Sequence, residues 1–286
     1  MFRKMLVCTD LTPSSNALIQ CVEALKDIGT KEVVLTHVIT VAGTPGVEEL
    51  LPVDTEPALE RQKDLLEKMG LKVVVETPLG WAATVLEETA ERHDVGAILI
   101  GSHGKGIIQA VTLGSVSTQL LHRIKRPMLL ARLDFAAQEN PPSLCSKIFT
   151  RVLFPTDFSD TAERAMDYLG KIALETGCGV TLLHVIEASG DDPEAGRQRE
   201  DECWYLLEAK KRRLERLGAS EVSVDLVHGK PHQEIITRTK KGAFSSVVMG
   251  GQGKGILAEL FLGSTANEVA RYAELPVLFV PAESTR

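Results

Sequence analysis

One glycine pattern occurs twice in this chain, each time in the same setting. It is Gly-x2-Gly-x9-Gly-Ser: Gly101, Gly104, Gly114 and Ser115 in GSHGKGIIQAVTLGS, then Gly250, Gly253, Gly263 and Ser264 in GGQGKGILAELFLGS. Each copy follows an apolar, strand-like run (VGAILI, SSVVM) and precedes a helical one. A glycine-rich turn between a strand and a helix lets backbone N–H groups close around a phosphate at the positive end of the helix. With glycine at about 7% of average composition, one chance match in a chain this long is roughly a few-percent event. Two matches at an offset of 149 residues argue for duplication of a whole domain.

The remaining sequence aligns with itself accordingly. MLVCTDLTPSSNALI parallels VLFPTDFSDTAERAM, which sets Thr9-Asp10 opposite Thr156-Asp157. VVLTHVI parallels VTLLHVI, setting His37-Val38 opposite His184-Val185 at the same offset of 147. Leu79-Gly80 matches His228-Gly229 at 149, so the second copy carries a net insertion of two residues. The 286 residues therefore divide into two domains of ordinary size, 1–134 and 147–286. A polar, proline-containing linker at 135–146 joins them.

Within the first copy the apolar runs near 3–9, 32–39, 71–77, 96–101 and 127–131 are short, rich in Val, Ile and Leu, and continuous. Continuity of that kind marks strands buried on both faces. Helical patterns near 13–28, 55–69, 81–92 and 114–124 alternate with them. Thr12-Pro13 supplies an N-cap and an N1 proline, and Gly29 and Gly70 fall where C-terminal caps belong. The alternation predicts an α/β protein, with a parallel sheet covered by helices on both faces in each domain.

Composition narrows the partners. A formal net charge of -7 disfavours nucleic acid and anionic membranes. The basic run Lys210-Lys211-Arg212-Arg213 reads as a solvated helix face. No apolar stretch approaches the roughly 18 residues of a membrane span, and no signal peptide is visible, so a cytoplasmic protein is expected. Five cysteines without CxxC spacing read as reduced thiols, and no metal site is expected.

In an open α/β sheet, ligands bind beyond the carboxyl ends of the strands, where the strand order reverses. Asp10 ends the first strand and Gly101 the fourth, so neighbouring strands would bring both into one crevice. A carboxylate there suits the two hydroxyl donors of a ribose. The plainer alternative is that Asp10 caps the helix starting at Pro13. Repetition of the position as Asp157, with a glycine loop in each half, favours a nucleotide. Gly104 and Gly114 would let backbone approach phosphate oxygens, and Ser115 would act as N-cap, hydroxyl donor or both. Lys105 and Lys254 repeat beside the second glycine, where a phosphate contact and a merely exposed lysine are equally open. His37 and His184 read as satisfied structural histidines, while His103 faces Gln252 in the other copy. A Walker A loop is excluded, because Gly101-x4-Gly106 is followed by Ile107. A dinucleotide fingerprint is excluded too, since its glycines belong after the first strand, where TDLTP stands. No nucleophile–base pair repeats in both halves, so no catalytic residue is assigned.

These motifs resemble the universal stress protein family, and specifically its ATP-binding branch. The resemblance covers 1–132 and 148–282 and rests on CTD and PTD, the HV pairs, and Gly-x2-Gly-x9-Gly-Ser. It implies a five-stranded parallel sheet ordered 3-2-1-4-5 in each domain, of the adenine nucleotide alpha hydrolase-like kind. It further implies that Thr9-Asp10 and Gly101 lie at the ribose, Val38 at the adenine edge, and Gly104, Gly114, Ser115 and Val116 at the phosphates of ATP or AMP. Mg²⁺ would be an optional companion. The matching second set is Thr156, Asp157, Val185, Gly250, Gly253, Gly263, Ser264 and Thr265. Gly251-Gln252 departs from the family's usual Ser-His, which the first copy keeps as Ser102-His103. Family members pair through the last strand, which implies an intramolecular pseudo-dimer through RPMLLAR and LPVLFVP and a homodimer of chains. The implied function is an adenine-nucleotide-binding regulator of stress responses. The alternatives are a slow ATPase, autophosphorylating or nucleotidyl-transferring enzyme, with His103 and Lys105 near the phosphates, and a scaffold that uses nucleotide only for stability.

Overall fold

The computed structural model describes residues 1–40, 55–102, 113–123, 125–132, 148–187, 193–240, 243–253 and 262–283. Two compact units, Met1–Lys147 and Ile148–Arg286, make up the chain. The linker expected at 135–146 lies outside the described residues, as do His103, Gly104, Lys105 and Lys254.

The first unit runs β1 (Lys4–Cys8), α1 (Pro13–Leu25), a 3-10 turn (Lys26–Ile28), β2 (Glu32–Thr36), α2 (Thr55–Lys68), β3 (Lys72–Glu76), α3 (Ala82–Arg92), β4 (Ala97–Gly101), α4 (Ser115–Leu121) and β5 (Met128–Ala131). Its strands are parallel and ordered β3-β2-β1-β4-β5. The second unit runs β6 (Arg151–Pro155), α5 (Asp160–Thr176), β7 (Gly179–Ile186), α6 (Pro193–Arg216), β8 (Val222–His228), α7 (Pro231–Lys240), β9 (Ser246–Gly250), α8 (Ser264–Tyr272) and β10 (Val277–Val280). Its strands are also parallel, in the equivalent order β8-β7-β6-β9-β10.

The apolar runs became strands because they have helices to bury against. Leu6 and Val7 of β1, Leu35 of β2 and Leu99 of β4 are fully buried. Burying each such side chain contributes about 1.5–3 kcal/mol. The outer strand β3, with Lys72 and Glu76 at its ends, is only partly covered. Helices pack as neighbours, α1 on α2 and α3 on α4 in the first unit, α7 on α8 in the second. Thr12 is the N-cap of α1, its side chain accepting from Ser15 N–H, and Pro13 sits in the first turn. Gly29 closes the following 3-10 turn at φ 90°, a left-handed backbone that glycine adopts without strain.

The largest differences from the expected boundaries are at the carboxyl ends of three elements. Helix α1 tightens into 3-10 geometry at Lys26, a common way to end a helix. Strand β2 stops at Thr36, beyond which His37 N–H donates to Glu76 O and Ile39 bridges to Leu79. Helix α4 spans only Ser115–Leu121. Among the cysteines, Cys8, Cys178 and Cys203 are buried and not disulfide-bonded. Cys21, expected to be reduced, is disulfide-bonded, a pairing that spacing in sequence cannot disclose. Among the described residues no helix is long and apolar enough to cross a membrane.

Candidate functional site

The sheet order places β1 between β2 and β4, and β6 between β7 and β9. Chain connections diverge there, which opens a crevice at the carboxyl end of each central strand. The Thr-Asp turn forms the floor of each crevice. Thr9 Oγ1 accepts from Leu11 N–H at 3.1 Å, and Asp10 Oδ1 accepts from Thr12 N–H at 3.1 Å and Thr12 Oγ1 at 2.6 Å. The second unit repeats the turn. Thr156 Oγ1 accepts from Phe158 N–H at 3.1 Å, and Asp157 Oδ1 from Ser159 N–H at 3.0 Å and Ser159 Oγ at 2.6 Å. These bonds hold Leu11 and Phe158 at φ 62° and 60°. Such a left-handed backbone costs a non-glycine residue roughly 1–2 kcal/mol, so the turn must be over-determined to persist.

The aspartates do not cap the helices. Thr12 and Ser159 are the N-caps, and the carboxylates brace them through one oxygen. In the first unit the other oxygen, Asp10 Oδ2, is buried and has no hydrogen-bond partner among the described residues. A buried carboxylate oxygen left unpaired costs about 1–3 kcal/mol or more, which marks it as an acceptor awaiting a donor.

Each strand-end histidine ties two strands together. His37 Nδ1 donates to Thr9 O at 2.9 Å and His184 Nδ1 to Thr156 O at 2.7 Å. A carbonyl only accepts, so the proton sits on Nδ1 in both rings. Phe158 stacks against His184 at 4.4 Å between centroids, with Lys210 Nζ 5.6 Å from the Phe158 ring centre. Lys210 also pairs with Glu163 of α5. The expectation of a solvated basic face is therefore corrected at Lys210, whose side chain is only 11% exposed. Burial, then the neighbouring Arg213, lowers the Lys210 pKa.

The glycine loops return to their starting points. Gly114 N–H donates to Ser102 O and Gly263 N–H to Gly251 O, both at 2.8 Å. Gly114 and Gly263 are the N-caps of α4 and α8, so Ser115 is the first helical residue and not the N-cap weighed for it, and Ser264 stands likewise in the second unit. Glycine has no side chain to turn inward, and neither helix start has a side-chain cap. Among the described residues no side chain caps their first-turn N–H groups. A Cβ built on Gly253 would stand 2.8 Å from Asp157 Oδ2, so this glycine admits the loop beside the carboxylate.

A cavity of about 320 Å³ in the first unit is lined by Thr9, Asp10, Val38, Gly101, Gly114, Ser115 and Val116. In the second unit a cavity of about 350 Å³ is lined by Thr156, Asp157, Val185, Gly250, Gly253, Gly263, Ser264 and Thr265. Both volumes are in the range of small-molecule sites. Every described residue singled out from the sequence thus lines its cavity; Gly104 lies outside the described residues. Sequence reasoning missed Cys8, Thr40 and Leu86 in the first cavity and Pro155, Glu187 and Ile235 in the second. Their signal was position: they match one another across the duplication. Cys8 is fully buried, and burial pushes its thiol well above the ordinary range. Among the described residues no cluster of His, Cys, Asp and Glu could hold a metal ion.

A duplicated open parallel sheet, with a ligand-sized cavity at the switch point of each copy, defines the class of protein. The universal stress protein family model matches residues 1–132 and 149–281, and the chain belongs to that family. A universal stress protein of Mycolicibacterium smegmatis is 26% identical over 293 residues, covering 96% of each chain. Universal stress protein MJ0577 of Methanocaldococcus jannaschii is 27% identical over 162 residues, spanning 49% of this chain and 99% of its own. The crystal structure of a universal stress protein from Archaeoglobus fulgidus shares the fold, with a TM-score of 0.69 at 24% identity over 98% of this chain and 99% of that one.

Proposed function

We propose that each unit binds one adenine nucleotide, ATP or AMP, and that the chain acts as a nucleotide-responsive regulator of stress responses. The observation that carries this is Asp10 Oδ2, a buried acceptor on the wall of a ligand-sized cavity, without a partner among the described residues. A ribose hydroxyl satisfies it, while Asp10 Oδ1 stays with Thr12. Phosphates would lie toward the uncapped first turns of α4 and α8, where N–H groups point outward and the helix end is positive. The base would then extend over the end of β2 or β7, past Val38 or Val185 and against Leu86 or Ile235. Any Mg²⁺ would enter on the phosphates.

A binding role is favoured over turnover by the chemistry that repeats. The repeated groups are a carboxylate with one oxygen already engaged, histidines whose Nδ1 protons hold a strand, and backbone donors. All of them can position a ligand, and no nucleophile–base pair repeats among them. Denaturing the purified chain and identifying released nucleotide by mass, followed by titration of nucleotide-free protein, tests the proposal. One to two adenine nucleotides per chain are expected. An empty protein that also fails to bind ATP and AMP would overturn it.

A further inference from the structure

We propose that Glu187 makes the second cavity selective for a base bearing an exocyclic amine, whereas the first cavity, with Thr40 in that place, is indifferent to the amine. The proposal rests on the nucleotide reading above. His37, Val38 and Thr40 follow β2, and at the same offset of 147 His184 and Val185 are residues of the longer β7 while Glu187 follows its end. Thr40 and Glu187 both line their cavities and both are exposed at the rim.

Strand order fixes which end of the ligand meets them. In the second unit β7 and β9 flank β6 on opposite sides. Neighbouring strands lie about 4.8 Å apart, so the ends of β7 and β9 are separated by roughly 10 Å. Phosphates on the β9 side, at Gly253 and Ser264, and ribose at Asp157 on β6 send the base toward β7. Leu183 and Ile235 offer it apolar walls. Glu187 is the charged side chain lining the cavity on that side, and it makes no hydrogen bond or ion pair with any described residue.

A carboxylate only accepts hydrogen bonds. An amine presented to Glu187 is bound, whereas a base edge offering only acceptors is repelled. A threonine hydroxyl both donates and accepts, so Thr40 turns to suit either edge. The duplication thus carries its own control.

The test uses the full chain with one site silenced at a time. Asp10→Ala leaves the second cavity and Asp157→Ala the first. Each is titrated calorimetrically with ATP and with purine riboside 5′-triphosphate, which lacks only the amine. The second cavity should prefer ATP by about tenfold, a modest value because the carboxylate is solvent-exposed. Glu187→Thr should cut that preference to about twofold or less, and Thr40→Glu should confer one on the first cavity. Equal preferences at both cavities, or a preference that survives Glu187→Thr, overturns the assignment of Glu187 while leaving nucleotide binding intact. Failure of both nucleotides to bind either cavity defeats the nucleotide reading and this proposal with it.

Discussion

Beneath the Thr-Asp turn, the first unit sets Gln62 of α2 against Asn16 of α1, with Nε2 donating to Oδ1 at 2.8 Å. The second unit sets Lys210 of α6 against Glu163 of α5 at the matching place. An amide pair in one copy is an ion pair in the other, yet both hold a left-handed residue after the aspartate, at φ 62° and 60°. Around the cavities the same drift appears: Ser15 against Ala162, Thr36 against Leu183, Cys8 against Pro155. Ser117 Oγ donates to Gly101 O at 2.8 Å in the first unit, where Ala266 in the second can donate nothing. The comparison separates what the turn requires from what it tolerates. A threonine, an aspartate and a hydroxyl two residues further on are repeated because each closes a backbone bond. The groups below and beside them are free to differ as long as the space is filled and the polar atoms are mostly met.

The largest effect that can break this equivalence is steric. Gly253→Val puts side-chain atoms where a Cβ alone would stand 2.8 Å from Asp157 Oδ2, and Asp157 cannot swing away without releasing Ser159. Nucleotide affinity of the second cavity should fall by about 100-fold, the loss expected when charge-assisted bonds go. The first cavity should be unchanged. Titration of the variant in the Asp10→Ala and Asp157→Ala backgrounds reads the two effects separately, and equal losses at both would contradict independent sites.

A smaller effect sharpens the comparison through pH. In the first unit burial would raise the Glu76 pKa, but hydrogen bonds from His93 at 2.7 Å and Arg92 at 3.1 Å outweigh it and hold it below its ordinary 4.5. Stability from that group is present above the unfolded pKa and is lost as pH falls through the folded one. In the second unit the Lys210 pKa lies below its ordinary 10.5, so the unfolded chain binds the proton more tightly than the folded one. The resulting penalty is full at neutral pH and is relieved as pH rises from the folded pKa toward 10.5. Each contribution should be under about 1 kcal/mol, given the exposure of the partners. Trp81 and Trp204 report the two units individually in Trp204→Phe and Trp81→Phe proteins. Glu76→Gln should flatten the acid side for the first unit alone, and Lys210→Met the alkaline side for the second alone.

Much of this was legible in the sequence because the chain is its own alignment. Continuous runs such as VGAILI and SSVVM became β4 and β9, and Thr12-Pro13 opened α1 as its chemistry requires. The Thr-Asp, His-Val and glycine positions among the described residues line their cavities. Other features left no trace that side-chain type could reveal. Leucine and phenylalanine do not advertise a left-handed backbone, so Leu11 and Phe158 were invisible until the turn's two side-chain bonds were seen. Ser115 looked like an N-cap by residue type, but the preceding Gly114 takes that position, as Gly263 does in the second unit, because the loop must close on Ser102 and Gly251. Lys210 looked solvated as part of a basic run, whereas the packing of α6 on its own unit buries it beside Glu163 and Phe158.

The most direct measurement is the binding stoichiometry of nucleotide-free protein and three variants. Isothermal titration with ATP or AMP should give two sites per chain for the intact protein. Asp10→Ala and Asp157→Ala should each leave one, with affinity lost at the altered cavity by about 10- to 100-fold, and the double variant should leave none in the accessible range. Binding that persists unchanged in the double variant, or no binding by the intact chain, would contradict the account.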